Sequence, residues 1–577
     1  MVKKYIINLQ LHFIKSLYKD FKYSIEKVLT MLTSIVVLAS IALFLLEFVF
    51  QINTKNQAIF TQLYLLSFIY FCIEVCLKFC FSTHKIHHLK SNILNMVVFI
   101  PFIPQNLLPF FQVINIKFLL LILILTHFKE VLNTIAKLKL KPATLFLYGF
   151  ILSIFIGSMI LSLPISNKQN QAISYIDALF TATSAICVTG LNVTEISQTF
   201  STFGLSIILL LCQIGGLGIM SFAILLSLFL KRKLSQHSSL EFQHNYATYN
   251  LKETFSSIKF IFQFTLLFEA LGAMILFYLF KDIHENWTIR LFYAIFHSVS
   301  AFCNAGFSLF TNSLEHLHNQ TGILICISGL IIAGGLGFPV LFNIYQTKRQ
   351  NKPFHFLKLQ TKIALIVTSI LLVVGTCFIW LGEYSHALKD MPFQTQILNS
   401  FFQSTSARTA GFNTIDLNSF QTSTIIIMLI LMIIGASPGS TGGGIKTTNF
   451  GILMLSFWQT IKGAPRIEAG GRTIDYESIL KTLSILILYL IGIFSTFYLL
   501  LLVENLPSLA LLFETVSAFG TVGFSLGITS QLSFWGKVII MIAMFIGRMG
   551  PLTVAFALSK TKRKLNYSYP KEELSII

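Results

Sequence analysis

Apolar runs of membrane-crossing length recur along the chain, separated by short loops in which lysine and arginine collect. A helix that crosses hydrocarbon needs about 20 apolar residues. By that measure the pattern predicts spans at about 29–50, 59–81, 92–111 and 113–128, then 142–163, 201–230, 256–280, 320–345, 362–382, 422–446, 479–503 and 534–558. The last eight form four pairs, and between the members of each pair lies a shorter apolar segment followed by a loop of small residues. The predicted unit is helix, short re-entrant helix, loop, helix. Non-helical backbone at membrane depth is tolerated only where protein or water surrounds it.

The loop of small residues is one stretch written four times. Ser184-Ala185-Ile186-Cys187-Val188-Thr189-Gly190-Leu191 is echoed by Ser300-Ala301-Phe302-Cys303-Asn304-Ala305-Gly306-Phe307. The third copy, Ser406-Ala407-Arg408-Thr409-Ala410-Gly411-Phe412, is one residue shorter, and the fourth is Ser517-Ala518-Phe519-Gly520-Thr521-Val522-Gly523-Phe524. A phenylalanine stands four residues before each serine: Phe180, Phe296, Phe402 and Phe513. The closing glycines are 116, 105 and 112 residues apart, so the repeat is about a hundred residues of membrane protein. Four unequal copies in one chain predict a pseudo-fourfold arrangement. The fold class expected is an all-α membrane protein, four tandem helix–pore loop–helix units preceded by about four extra helices. A ring of backbone carbonyls is how a pore replaces the water around potassium.

A second feature repeats 24 to 28 residues after each closing glycine: Gly215-Gly216-Leu217-Gly218, Gly334-Gly335-Leu336-Gly337, Gly435-Ala436-Ser437 and Gly547-Arg548-Met549-Gly550. Small residues let helices pack closely, and that accounts for the first two copies. The third runs on into Gly435-Ala436-Ser437-Pro438-Gly439-Ser440-Thr441-Gly442-Gly443-Gly444-Ile445-Lys446, which cannot stay helical. It is no phosphate loop, since GxxxxGK[ST] is unmatched. A break midway along a span is expected to line the water path beneath the repeated stretch. In the fourth copy Arg548 replaces a glycine, and a mid-span charge needs water or a partner. Two positions are open to it, as a positive barrier in the water path or in an ion pair with Glu514.

Composition narrows the class. Of 577 residues, 54 % are hydrophobic and 11 % charged, well under the quarter usual for soluble domains. The net charge of +19 falls in loops rather than on one extended face, which argues against nucleic acid. Basic residues mark the loops at 129–141 and at Lys231-Arg232-Lys233, Lys348-Arg349, Lys462, Arg466 and Arg472. With Lys560, Lys562, Arg563 and Lys564 at the end, they place both termini in the cytoplasm and the repeated stretches toward the outside. The N-terminal run is too long for a signal-peptide core. The eight cysteines contain no CxxC pair, and Cys72, Cys76 and Cys80 share a helix face suited to packing. His84, His87 and His88 lie beside lysines, as loop residues.

These motifs resemble the Trk/Ktr/HKT superfamily of potassium transporters, the TrkH/KtrB-like pore subunit in particular. The residues that carry the resemblance are SAICVTGL, SARTAGFNTID, ASPGSTGGGIKTT, FETVSAFGTVGFS and GRMGPLT, within about 142–560. Cys303 stands where asparagine is usual, Phe524 where leucine is common, and Ala436 where glycine is common. The resemblance implies a potassium-binding filter at Thr189, Gly190, Ala305, Gly306, Ala410, Gly411, Val522 and Gly523. It implies a gate at Ser437, Pro438, Gly439, Gly442, Gly443, Gly444, Lys446 and Arg548. A homodimer with one pore per protomer is implied as well, gated by a cytosolic nucleotide-binding ring protein of the RCK/KTN type. The nucleotide belongs to that partner. This chain itself would carry no cofactor, only K+ at the filter as transported ion, with Na+ as a possible coupled or regulatory ion. Glycine at the first filter position argues for potassium, where serine marks sodium-preferring plant relatives. Glu195 and Asp416, five residues past their glycines, are expected at the outer mouth, where acids concentrate cations.

The resulting domain plan is a helical bundle at 1–128, a cytoplasmic linker at 129–141, pore units at 142–235, 250–347, 360–462 and 478–560, and a tail at 561–577. Phe71-Cys72-Ile73-Glu74-Val75-Cys76-Leu77-Lys78 with Asn92, Asn95 and Pro101 resembles a voltage-sensor domain. A working sensor needs several arginines on its last helix, and here that helix offers only Lys117. A non-sensing scaffold or an unrelated bundle is expected. The function expected is potassium uptake across the inner membrane, with a sodium- or proton-coupled symporter, or a pore that also passes sodium, as the alternative. An enzyme would need convergent groups at membrane depth. Glu47, Glu74, Glu269 and Glu514 are scattered over different units, with no HExxH or GxSxG.

Overall fold

The computed structural model describes residues 54–81, 142–168, 173–218, 251–464 and 466–558, with isolated positions between 29 and 43 and at 123 and 126. The predicted span at 92–111, most of 113–128 and of 29–50, the linker, the loop at 231–233, Lys117, His84, His87, His88 and the tail lie outside them. The chain divides into two compact units, 1–140 and 141–577.

In the first unit, helix α1 (Thr54–Phe81) contains the predicted span 59–81. Its buried Glu74 pairs with Lys78 one turn later at 2.6 Å. Cys76 is exposed rather than packed, which corrects the packing role expected for the whole cysteine face.

The second unit is four copies of one theme. The first has α2 (Pro142–Leu161), α3 (Tyr175–Cys187) and α4 (Thr202–Leu217). The second has α5 (Leu251–Leu279), α6 (Trp287–Phe302), α7 (Thr321–Leu336) and α8 (Phe338–Arg349). The third has α9 (Leu359–Glu383), α10 (Phe393–Ser406), α11 (Thr422–Ile433) and α12 (Thr447–Ile461). A two-residue β-hairpin, Glu468–Ala469 with Arg472–Thr473, leads to the fourth. That copy has α13 (Tyr476–Val503), α14 (Ser508–Gly520), α15 (Phe534–Met549) and α16 (Pro551–Leu558). Two of the closing helices are capped at their start by a serine. Ser201 Oγ accepts from Gly204 N at 3.3 Å, and Ser533 Oγ from Gly536 N at 3.2 Å.

The half-helices α3, α6, α10 and α14 are enclosed. Each closing helix packs against the half-helix of the next copy: α4 on α6, α7 on α10, α11 on α14, and α15 back on α3. That last contact closes the cycle, and the ion pair Lys537–Asp177 at 2.7 Å crosses it. Phe180, Phe296, Phe402 and Phe513 are all fully buried. Lipid tails are as apolar as these side chains, so the fold gains from close packing rather than from leaving water. A Cβ at Gly215, Gly334 or Gly547 would strike the carbonyl oxygen of Ile186, Phe302 or Phe519, each at or near the end of its own half-helix.

The closing helices correct the sequence reading. The span predicted at 320–345 is not continuous, because α7 and α8 are bent by 91° at Gly337. The span at 534–558 breaks likewise at Gly550, and α4 ends at Gly218. All three glycines have positive φ, 85°, 81° and 77°, a left-handed conformation that ends a helix. Close packing alone therefore does not account for the first two glycine clusters. The third closing helix also stops early, at Ile433, and helix resumes only at Thr447, beyond the predicted end of that span.

Candidate functional site

The half-helices end at a shared centre, and the backbone there adopts one conformation four times. Val188, Asn304, Thr409 and Thr521, each two residues before a closing glycine, have φ of 55°, 58°, 81° and 52°. Left-handed backbone is costly for β-branched residues and persists where the surroundings impose it. The next amide turns back to the half-helix. Thr189 N donates to Ser184 O, Ala305 N to Ser300 O, Ala410 N to Ser406 O and Val522 N to Ser517 O, each at 2.8 Å.

The closing glycines then meet in a ring. A Cβ on Gly190 would lie 2.5 Å from Ala305 O and 3.1 Å from Gly306 Cα. One on Gly306 would lie 2.5 Å from Ala410 O, and one on Gly411 2.9 Å from Gly523 Cα, against Val522 O. One on Gly523 would strike Thr189 O and lie 3.2 Å from Gly190 Cα, which completes the circuit. The eight residues expected as a filter are thus brought together, with the carbonyls of Thr189, Ala305, Ala410 and Val522 each against the neighbouring copy's glycine. Glycine is required at all four positions because backbone of the next copy already occupies the Cβ site.

Three of the four leading serines hold this ring through their hydroxyls. Ser184 Oγ accepts from Gly190 N at 3.0 Å and Ser517 Oγ from Gly523 N at 3.1 Å, while Ser300 Oγ donates to Phe307 O at 2.8 Å. The sequence marks these serines as part of a motif but not as supports. A further pattern is legible only once the half-helices are superimposed in register. Three residues before each serine stand Thr181, His297, Gln403 and Glu514, all buried. Glu514 accepts from Thr529 Oγ1 in the segment beyond its ring glycine.

Against the ring lies the segment 434–446. Its glycines serve close approach: a Cβ on Gly442 would lie 2.9 Å from Ala436 Cβ, against Thr409 Oγ1, and one on Gly443 3.1 Å from Gly520 O. The segment, non-helical as its sequence requires, is tied by hydrogen bonds. Gly435 N donates to Ile445 O at 3.0 Å, Ser437 N to Gly335 O at 2.9 Å, and Phe338 N to Gly439 O at 3.0 Å. Ser437 Oγ and Thr447 Oγ1 are 2.8 Å apart. Lys446 Nζ folds back onto Gly442 O at 2.8 Å. Pro438 O faces Gly337, where a Cβ would lie 2.6 Å away, and Gly444 takes a φ of 70°.

Arg548 joins this segment. Its Nη1 donates to Thr441 O and its Nη2 to Gly215 O, so the guanidinium bridges two other copies. The ion pair with Glu514 considered from sequence is not formed; that carboxylate accepts from Thr529 instead. Arg408, which the sequence passed over, also reaches the segment, with Nη2 3.4 Å from Gly435 O.

The two expected mouth acids are exposed. Glu195 heads the one-turn helix Ile196–Thr199. Asp416 is committed to its own turn, accepting from Asn418 N at 3.0 Å and Asn418 Nδ2 at 3.1 Å. Glu315 stands near it and lacked the five-residue offset that marked the others. Burial pushes the Glu315 carboxyl up, the Asp416 charge pushes it further, and the Asn413 amide, donating at 2.7 Å, opposes both.

Four copies of helix, half-helix and helix closed on a ring of backbone define a multi-pass membrane protein of the pore-loop kind. The chain belongs to the TrkH family of cation transport proteins, whose pattern matches residues 111–567. It is 39 % identical to Ktr system potassium uptake protein B of Vibrio alginolyticus over 72 % of this chain and 90 % of that one. It is 37 % identical to the Ktr system potassium uptake protein B of Bacillus subtilis, over 76 % and 97 %. It is 36 % identical to the potassium/sodium uptake protein NtpJ of Enterococcus hirae, over 76 % and 98 %. The crystal structure of the potassium transporter TrkH from Vibrio parahaemolyticus shares the fold, with a TM-score of 0.57 at 17 % identity, over 92 % of this chain and 97 % of that one. The relatives are named as transporters rather than enzymes.

Proposed function

We propose that this chain is the pore-forming membrane subunit of a potassium uptake system. The observation that carries the reading is the closed ring, in which each of four carbonyls, from Thr189, Ala305, Ala410 and Val522, abuts the glycine of the next copy. Such a ring offers oxygen ligands in place of an ion's water. Each copy contributes one glycine rather than a longer run, so few dehydrated sites are expected, and rubidium passes with potassium. The segment 434–446 acts as the gate, held by Arg548 and Lys446. Glu195, Asp416 and Glu315 attract cations to the mouth.

The remainder follows the relatives. Those named as protein B of a Ktr system support a chain that works with other components. We assign it a homodimer and a cytosolic nucleotide-binding ring partner, with the ring of carbonyls facing outward, both termini inside and the inner membrane as its location. Passage of sodium, or coupling to it, is the second reading, favoured by the name of the Enterococcus relative.

The test is rescue of cells lacking their own potassium uptake, with 86Rb+ and 22Na+ influx measured with and without a sodium gradient. Growth at low potassium with influx independent of the gradient is the expected result. Influx that needs the gradient supports the second reading, and no influx in a well-expressed chain overturns both.

A further inference from the structure

The residue behind the ring in the second copy is a histidine, and its surroundings fix its protonation state. His297 lies on α6 three residues before Ser300 and is fully buried. Its Nδ1 is 2.8 Å from Tyr293 O, and a carbonyl can only accept, so Nδ1 carries hydrogen. Leu309 N donates to Nε2 at 3.3 Å, and an amide N–H can only donate, so Nε2 carries the lone pair. Ser308 Oγ lies 3.2 Å from the same nitrogen. These partners require the neutral ring.

What the ring holds is the strand leaving the site. Ser308 and Leu309 follow Gly306 by two and three residues, and Ser300 Oγ grips Phe307 O between them. The groups facing His297 include no acid. Phe310 stacks on it at 4.9 Å and Phe280 meets it edge-on at 5.7 Å. The titratable neighbours are Tyr293 on α6, His284 before α6 and His316 after the ring. Burial holds His284 and His316 below the usual histidine value. Nearby carboxylates are engaged elsewhere: Glu269 on α5 accepts from Gln213, and Glu315 from Asn413. Lys281 and Asp282, in the one-turn helix Phe280–Asp282 ahead of His284, are exposed. The equivalent positions elsewhere hold Thr181, Gln403 and Glu514, so an imidazole stands there only in the second copy.

We propose that His297 is the positioning residue of the second ring segment, and that its protonation from the ring side of the membrane loosens that segment and lowers cation discrimination. A second ring proton on Nε2 would face the Leu309 N–H, donor against donor, and release the strand next to Gly306. The inference rests on the reading of the ring as the ion filter.

The test uses the full chain in proteoliposomes, with the ratio of 86Rb+ to 22Na+ influx followed as each face in turn is taken from about pH 8 to about pH 4. The expected result is a ratio that falls about five-fold with acid on the ring side, the factor that loss of one hydrogen bond gives. His297→Gln keeps an acceptor for Leu309 N and has no such proton to gain, so its ratio stays high and flat. His284→Asn with His316→Asn retains the wild-type fall. A His297→Gln profile that tracks the wild type, or an effect only from the opposite face, overturns the assignment. A wild-type ratio near one at every pH overturns the filter reading itself, and this inference with it.

Discussion

Arg548 donates from its guanidinium to the carbonyl oxygen of Thr441, so a side chain of the fourth copy holds a loop of the third. The other nitrogen holds Gly215 of the first. A hydrogen bond from a charged donor contributes about 1.5–3 kcal/mol. The sequence left two positions open to this charge, a barrier in the ion path or an ion pair with Glu514; in the structure its guanidinium ties carbonyls of two other copies.

Arg548→Gln is therefore expected to raise basal 86Rb+ influx about ten-fold, since loss of one such bond releases the segment by that factor. Folding is checked by oligomeric state in detergent. A well-assembled variant with unchanged influx would show that the clamp does not restrain transport.

Gly190→Ser places a side chain where Ala305 O already stands, 2.5 Å from the new Cβ, on backbone with a φ of 91°. Displacing one carbonyl of four is expected to lower the Rb+/Na+ influx ratio about ten-fold or more, with sodium sensitivity of the host cells as the second readout. Unchanged selectivity in a well-expressed variant contradicts the role given to the ring.

Gly337→Ala tests the other contact of segment 434–446. The new methyl would lie 2.6 Å from Pro438 O and 3.3 Å from Ser440 N, at a φ of 85°. Left-handed backbone costs an alanine about 1–2 kcal/mol before any clash. The segment should move away from the bend, and influx should become less dependent on the proposed cytosolic partner. Influx that stays fully partner-dependent would place the gate elsewhere.

Asp177 and Lys537 cross the closing contact at 2.7 Å, both mostly buried. Removing one partner strands the other, which costs about 3 kcal/mol or more for a well-buried pair. Asp177→Asn should lower the detergent melting temperature by several degrees, and the exchange Asp177→Lys with Lys537→Asp should recover part of it. Equal melting of the single and double variants would show that the pair contributes nothing to closure.

Acidity should act at the mouth through Glu315. Its carboxyl is raised by burial and by Asp416, so the folded chain holds a proton that the unfolded chain gives up. The stabilisation is complete below the ordinary value of 4.5 and is lost as pH rises through the raised one. Asp416→Asn removes the second cause and should shift the upper end of that window toward acid. Melting temperature followed against pH reads this directly, and an unaltered profile would remove Asp416 as a cause.

Much of this was legible in the amino acids alone, for local reasons. Glycines recurring at 190, 306, 411 and 523 mark four copies whatever their packing, and apolar length marks the helices between them. The broken third closing helix was legible too, because Pro438 and its glycines exclude helix by local sterics.

What only the tertiary structure decided depends on contacts between distant copies. The bends at Gly337 and Gly550 read as ordinary helix, since glycine is tolerated there and the positive φ is imposed by what the chain meets next. The contacts of the glycine-rich segment were not legible either: Gly443 meets Gly520 O of the fourth copy, while Gly442 and Gly444 close on Thr409, Ala436 and Gly435 of their own. Arg548 was visible as a charge out of place, but it donates to backbone carbonyls, those of Thr441 and Gly215 among them, and every residue has a carbonyl. The same holds for His297. A histidine in an apolar half-helix announces nothing, and its tautomer becomes fixed only when Tyr293 O and Leu309 N–H close on it from either side. Periodicity and local sterics are properties of neighbours in sequence, whereas the partner of a buried polar group is chosen by the fold.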